Sequence, residues 1–153
     1  MIIQQDSREQ PTPAKRIREQ ISLSGHTVVV SKLYFGDYVL FEYPKIAVER
    51  KAHIGEIAQN AVSGHERFRA ELERMKCVGG KMYILIEQDR IDGKKIASLE
   101  DVILWENKHG SVQGERIYRI LKSWENKYDI EYHFCKKADT GKRIIELLGA
   151  RNE

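Results

Sequence analysis

The run Met82-Tyr83-Ile84-Leu85-Ile86 restricts the folds open to this chain more than any other feature. Nearly continuous apolar sequence of strand length marks a central strand covered on both faces. Covering both faces takes helices on each side. Apolar residues at i, i+3/i+4 spacing predict helices over 14–23, 53–76, 114–128 and 138–149. The longest of these carries Ile54, Ile57, Ala58, Ala61, Phe68, Leu72 and Met75 on one stripe, with an interruption expected near Ser63-Gly64. Further strands are expected over 2–5, 28–30, 34–41 (interrupted at Gly36), 46–51 and 130–134, with a turn at 43–45. Residues 102–105 read ambiguously. Alternating element types favour a three-layer α/β fold, with a central mixed sheet and a β-hairpin core flanked by helices.

The chain has 153 residues, which suits one domain over 1–153 with a real hydrophobic core. Its 41% hydrophobic and 32% charged content argues against disorder and low complexity. The 26 Lys plus Arg exceed the 23 Asp plus Glu by three, a mild basic bias that permits nucleic-acid binding. Cys77 and Cys135 are far apart, so neither a zinc ribbon nor a disulfide framework is expected. The N-terminus does not read as a signal peptide, and no apolar run approaches the ~20 residues that span a bilayer. An intracellular protein, cytoplasmic or nucleoid-associated and without membrane partners, is the expectation. His26, His53, His65, His109 and His133 show no zinc-ligand spacing. Ser7 and Ser31 lack a nucleophile elbow, and Gly79-Gly80-Lys81 lacks the P-loop pattern.

The chemistry concentrates in Gly36-Asp37 and Glu49-Arg50-Lys51. Alternation along a strand puts Glu49 and Lys51 on one face, with Val48 and Arg50 on the other. A hairpin centred on Tyr43-Pro44 sets Asp37 opposite Glu49 or Arg50, and either register brings its carboxylate within reach of Glu49. Adjacent carboxylates repel each other, and ordinary sheet packing does not reward the arrangement. A Mg²⁺ ion removes the repulsion, can bind a phosphate oxygen and can lower the pKa of a bound water. Lys51 is then placed to orient that water or to stabilise developing phosphorane charge. The alternative is a solvated hairpin with charges on its wet side.

Gly36-Asp37-Tyr38-Val39-Leu40 followed by Ile46-Ala47-Val48-Glu49-Arg50-Lys51 resembles the GD…ERK signature of the XPF-type structure-specific endonucleases. These are a branch of the PD-(D/E)XK, restriction-endonuclease-like fold. Residues 2–9, ending Asp6-Ser7-Arg8-Glu9, are similar to the family's opening strand. Arg67-Phe68 with Glu71-Leu72 resembles its Arg-containing helix, and Tyr83-Ile84-Leu85-Ile86-Glu87 its buried strand. The likeness covers residues 1–90 well and the rest loosely. One departure stands out: the family's acid four residues after the lysine is here Gly55, with Glu56 beside it.

The resemblance implies a restriction-endonuclease-like fold and a Mg²⁺- (or Mn²⁺-) dependent DNA endonuclease acting on branched or flapped DNA in repair or recombination. It implies Asp37 and Glu49 as metal ligands, with Arg50 in the same metal set, and Lys51 as the catalytic lysine. Asp6 and Glu9 would add acidic groups at the site edge, although Asp6-Ser7-Arg8 also reads as a turn in which Asp6 caps backbone N–H groups. Arg50 reads equally as a buried structural partner or a phosphate contact. Glu87 reads as structural. Arg8, Arg67 and Arg69 are the expected DNA contacts, with the Lys94-Lys95 and Lys136-Lys137 pairs as further phosphate candidates. A homodimer or a separate partner subunit is expected. A non-catalytic DNA-binding or scaffold subunit is the second reading. An RNA or restriction-type nuclease is a third.

Overall fold

The computed structural model describes residues 1–105 and 113–149; His109 lies outside them. The elements in chain order are β1 (Ile2–Asp6), α1 (Pro11–Leu23), β2 (Thr27–Ser31), β3 (Tyr38–Leu40), β4 (Tyr43–Lys51), α2 (Ile54–Val62), α3 (His65–Cys77) and β5 (Lys81–Ile86). A small hairpin, β6 (Arg90–Ile91) and β7 (Lys94–Lys95), and a 3-10 helix (Leu99–Leu104) lead to α4 (Gly114–Lys127). The chain then runs through β8 (Ile130–Phe134) and a 3-10 turn (Lys137–Asp139) to α5 (Thr140–Gly149). Six strands form one mixed sheet in the order β2-β1-β3-β4-β5-β8. The β1–β3 and β3–β4 pairs are antiparallel, and the others are parallel. This is the three-layer α/β architecture expected from the sequence.

The apolar run in β5 lies one strand in from the sheet edge, between β4 and β8, and supplies both faces. Met82, Ile84 and Ile86 enter a core with Ile54 and Ile57 of α2, Phe68, Leu72 and Met75 of α3, and Ile117 and Leu121 of α4. Leu85 enters a second core with Ile17 and Ile21 of α1 and Ile144, Leu147 and Leu148 of α5. Each helix presents the stripe that its spacing predicts. The break at Ser63-Gly64 is real: both backbone N–H groups fold back onto the Gln59 carbonyl, and Gly64 becomes the N-cap of α3. Among the described residues, no helix is long and apolar enough to cross a membrane.

Three local expectations are corrected. The expected turn at 43–45 is the start of β4, and the reversal falls at Phe41-Glu42 because Leu40 pairs with Tyr43. The register then shifts, so that Val39 pairs with Ala47 and Tyr38 with Val48. Pro44 lies within this irregular stretch, where its missing N–H is tolerated. Residues 34–37 form a corner rather than strand, and the final helix begins at Thr140 after a 3-10 turn.

Candidate functional site

The Gly36-Asp37 corner is built by backbone geometry. Gly36 has φ +75°, in the left-handed region, and a Cβ at that position would collide with the Ala47 Cβ on the neighbouring strand. Gly36→Ala is therefore expected to destabilise the fold by about 2–4 kcal/mol, combining left-handed strain with overpacking. Urea unfolding would show this, and a loss under about 1 kcal/mol would contradict the geometry. The next residue is pinned on both sides. The Asp37 N–H donates to the Val48 carbonyl at 2.9 Å, and the Asp37 carbonyl accepts the Asp6 N–H at 2.8 Å.

Asp37 Oδ2 accepts the Arg50 backbone N–H at 2.8 Å, which ties the carboxylate to β4. Extending the Tyr38–Val48 pairing by one residue sets Asp37 beside Glu49. The faces of β4 divide as alternation predicts. Glu49 and Lys51 point toward α3, with Lys51 Nζ 3.5 Å from Glu49 Oε1 and 4.7 Å from the Phe68 ring centroid. Phe68 is backed in turn by Trp124, their ring centroids 5.1 Å apart. Helix α3 brings Arg67, Glu71 and Arg74 to the same place, at the i, i+4, i+7 spacing of one helix face. These groups, with Asp6, Arg8, Gly36 and Asp37, line a cleft of about 210 Å³.

The acids in this cleft are strongly coupled. Burial first, and then the Glu9 charge, push Asp37 up to about 7, against the pull of the Arg50 N–H and Lys51. Burial first, and then Asp37 and Glu71, push Glu49 well above the usual carboxylate range, with Lys51 opposing. Glu49 Oε2 is buried and has no hydrogen-bond partner among the described residues. Such an orphaned oxygen beside a second carboxylate suits a hard divalent cation, which takes oxygen ligands. Among the described residues no three His, Cys, Asp or Glu side chains are arranged to hold an ion together. The fit therefore rests on Asp37 and Glu49 with water completing the shell, a common mode for Mg²⁺.

The opposite face of β4 is a buried ion network. Arg50 donates to Glu9 at 3.0 and 3.1 Å and to Glu87 at 2.6 Å. Glu87 also accepts from Arg16 at 2.7 Å and from the Thr140 hydroxyl. Two sequence-based placements are corrected here. The Arg50 side chain is a cation facing away from Glu49, so it cannot serve as a metal ligand; its contribution to Asp37 is a backbone N–H. Glu9 is the partner of Arg50 and of the Tyr38 hydroxyl, at 3.4 Å, rather than a group lining the cleft.

Asp6 reaches the cleft wall, but its carboxylate caps the Leu33 N–H at 3.0 Å and pairs with Arg8 at 3.0 Å. Arg8 and Arg67 line the cleft. Arg69 lies instead near Tyr128, and Arg74 takes the cleft position expected of it. Lys94 and Lys95 are exposed on the small hairpin. The Lys137 carbonyl accepts from Arg16 and Gln20 of α1, which places that pair on the network's side of the sheet. Glu71 and Arg74 were not among the expected site residues; their spacing from Arg67 was the available signal.

Gly55 has a structural explanation. His53 caps α2, its Nδ1 accepting the Glu56 N–H at 3.2 Å, while Glu56 Oε2 accepts the Ala52 N–H at 2.9 Å. A Cβ at position 55 would stand 2.9 Å from that His53 nitrogen. A side chain at 55 would thus displace the exposed His53 ring from its capping position, and the carboxylate of Glu56 is already engaged by the Ala52 N–H.

The ERCC4 domain family model matches residues 5–148. No curated protein sequence matches the chain. Among solved structures, it is similar to XPF from Aeropyrum pernix, with a TM-score of 0.70 and 21% identity over 99% of this chain and 66% of that one. It is also similar to XPF from Aeropyrum pernix in complex with DNA, with a TM-score of 0.67 and 18% identity over 97% of this chain and 63% of that one. The chain thus spans just under two thirds of the solved structures it resembles.

Proposed function

The chain belongs to the ERCC4 domain family, and from that premise we propose that it is a divalent-metal-dependent DNA endonuclease. In this reading residues 1–153 act as one nuclease domain inside the cell, cutting branched or flapped DNA during repair or recombination. A second copy or a separate subunit supplies the rest of the DNA-binding surface. The observation that carries the reading is the half-buried Asp37 beside the buried Glu49 and Lys51, with one Glu49 oxygen orphaned, in a cleft edged by arginines.

Asp37 and Glu49 would hold Mg²⁺ or Mn²⁺. Such an ion, when bound, activates water and stabilises charge on a phosphate. The protein's own groups do the rest. The Arg50 N–H keeps the Asp37 carboxylate aimed into the cleft. Lys51, held over Phe68, orients the attacking water or stabilises charge developing on the phosphate. Arg8, Arg67 and Arg74 are placed to receive the DNA backbone, which sets register without reading sequence. Asp6 holds the cleft wall.

The second reading, a non-catalytic DNA-binding subunit, draws on Gly55 and on the use of Glu56 as a cap. One assay separates the two. Flap, fork, junction and plain duplex DNA are incubated with the protein in Mg²⁺, Mn²⁺ or EDTA, alongside Glu49→Gln. Cutting of the branched substrates that needs the metal and falls at least about 10³-fold in the variant is the expected result. Binding without cutting in either metal favours the scaffold reading.

A further inference from the structure

Helix α3 adds a carboxylate to the cleft from outside the hairpin. Glu71 Oε1 accepts the Gly36 N–H at 2.7 Å, gripping the residue that precedes Asp37. The same side chain lines the cleft alongside Glu49. Asp6, Asp37, Glu49 and Glu71 therefore bring acids from four segments to one cleft, next to the orphaned and buried Glu49 Oε2. Like charges repel at this range, and a buried carboxylate oxygen without a donor is destabilising. Anchoring alone does not call for an acid, because glutamine would accept the same N–H and could donate to Glu49. A hydrated cation does call for one. Mg²⁺ keeps several of its waters, and those waters need acceptors beyond the direct ligands.

We infer that Glu71 is a positioning residue of the metal site: it accepts hydrogen bonds from the water shell of a divalent cation held by Asp37 and Glu49, while it secures the Gly36-Asp37 corner. The inference rests on the nuclease reading above. It also gives the site an acid from α3, whereas position 55 is a glycine and carries none.

The test is calorimetric titration of the chelator-stripped full chain with Mg²⁺ and with Mn²⁺, without DNA. Glu71→Gln should weaken the affinity about 10–100-fold, while its unfolding midpoint in EDTA stays at or above that of the parent. Glu71→Asp keeps the charge at shorter reach and should retain more affinity than the glutamine variant. Glu56→Gln should bind like the parent. Equal affinity in Glu71→Gln and parent, or a loss confined to Glu56→Gln, overturns the inference and leaves the nuclease reading standing. A parent chain that binds neither ion overturns both.

Discussion

Replacing Arg50 with alanine is expected to destabilise the fold by about 3–5 kcal/mol, the usual effect of removing one partner from a buried ion pair. The guanidinium is nearly inaccessible, with its side chain 6% exposed. Burial disfavours its charge, but hydrogen bonds and attraction from Glu9 and Glu87 outweigh that and lift its pKa above the ordinary arginine value. Without Arg50, Glu87 keeps Arg16 and Thr140. Glu9, its side chain 7% exposed, is left with two long, uncharged donors, the Tyr38 hydroxyl at 3.4 Å and the Gln10 backbone N–H at 3.3 Å. Most of the loss therefore comes from stranding Glu9 in a desolvated site. Arg50→Lys should fall between parent and alanine, because one ammonium cannot reproduce the fork that bridges two carboxylates. Urea unfolding followed by the fluorescence of Trp105 and Trp124 reads the effect directly. A loss below about 1 kcal/mol would mean that the network does not carry the strand end that presents Glu49 and Lys51.

Asp37→Asn should act in opposite directions on rate and stability. Cleavage is expected to fall at least about 10³-fold, because the substitution removes a charged ligand. The metal-free fold should gain stability on the order of 2 kcal/mol above pH 7, because it also removes a half-buried charge facing other acids. The sign follows from proton binding. An unfolded Asp37 releases its proton near the ordinary 3.8, whereas the folded one holds it to about 7. Between those values the folded state binds more protons, so raising the pH favours unfolding. The Asp37 contribution is thus fully present below about pH 4 and is lost as pH rises through about 7. Asparagine abolishes that slope and still accepts the Arg50 N–H. Thermal melts in EDTA at pH 5 and pH 8 should show the variant's advantage growing with pH. Adding Mg²⁺ should restore the parent more than the variant. An advantage equal at both pH values would show that the Asp37 charge is not what destabilises the metal-free cleft.

Much of this was visible in the order of residues. The run at 82–86 announced a strand buried on both faces, and β5 is one, because five consecutive apolar side chains cannot alternate toward water. The split of β4 into Glu49 and Lys51 on one side and Val48 and Arg50 on the other follows from strand geometry alone. The expected proximity of Asp37 to Glu49 holds even though the turn was placed too late, since the irregularity between Leu40 and Ala47 offsets the displaced reversal.

Local sequence determined the main strands, the helix stripes and the face on which each β4 side chain lies, because these depend on short-range periodicity and sterics. Tertiary packing alone decided which residues meet across elements. The phase of α3 puts Phe68 and Leu72 inward, but only its docking against the hairpin turns Arg67, Glu71 and Arg74 into the cleft and carries Arg69 toward Tyr128. The pairing of Arg50 with Glu9 and Glu87, the latter 37 residues away, likewise arises only when β1, β4, β5, α1 and α5 close around one desolvated charge.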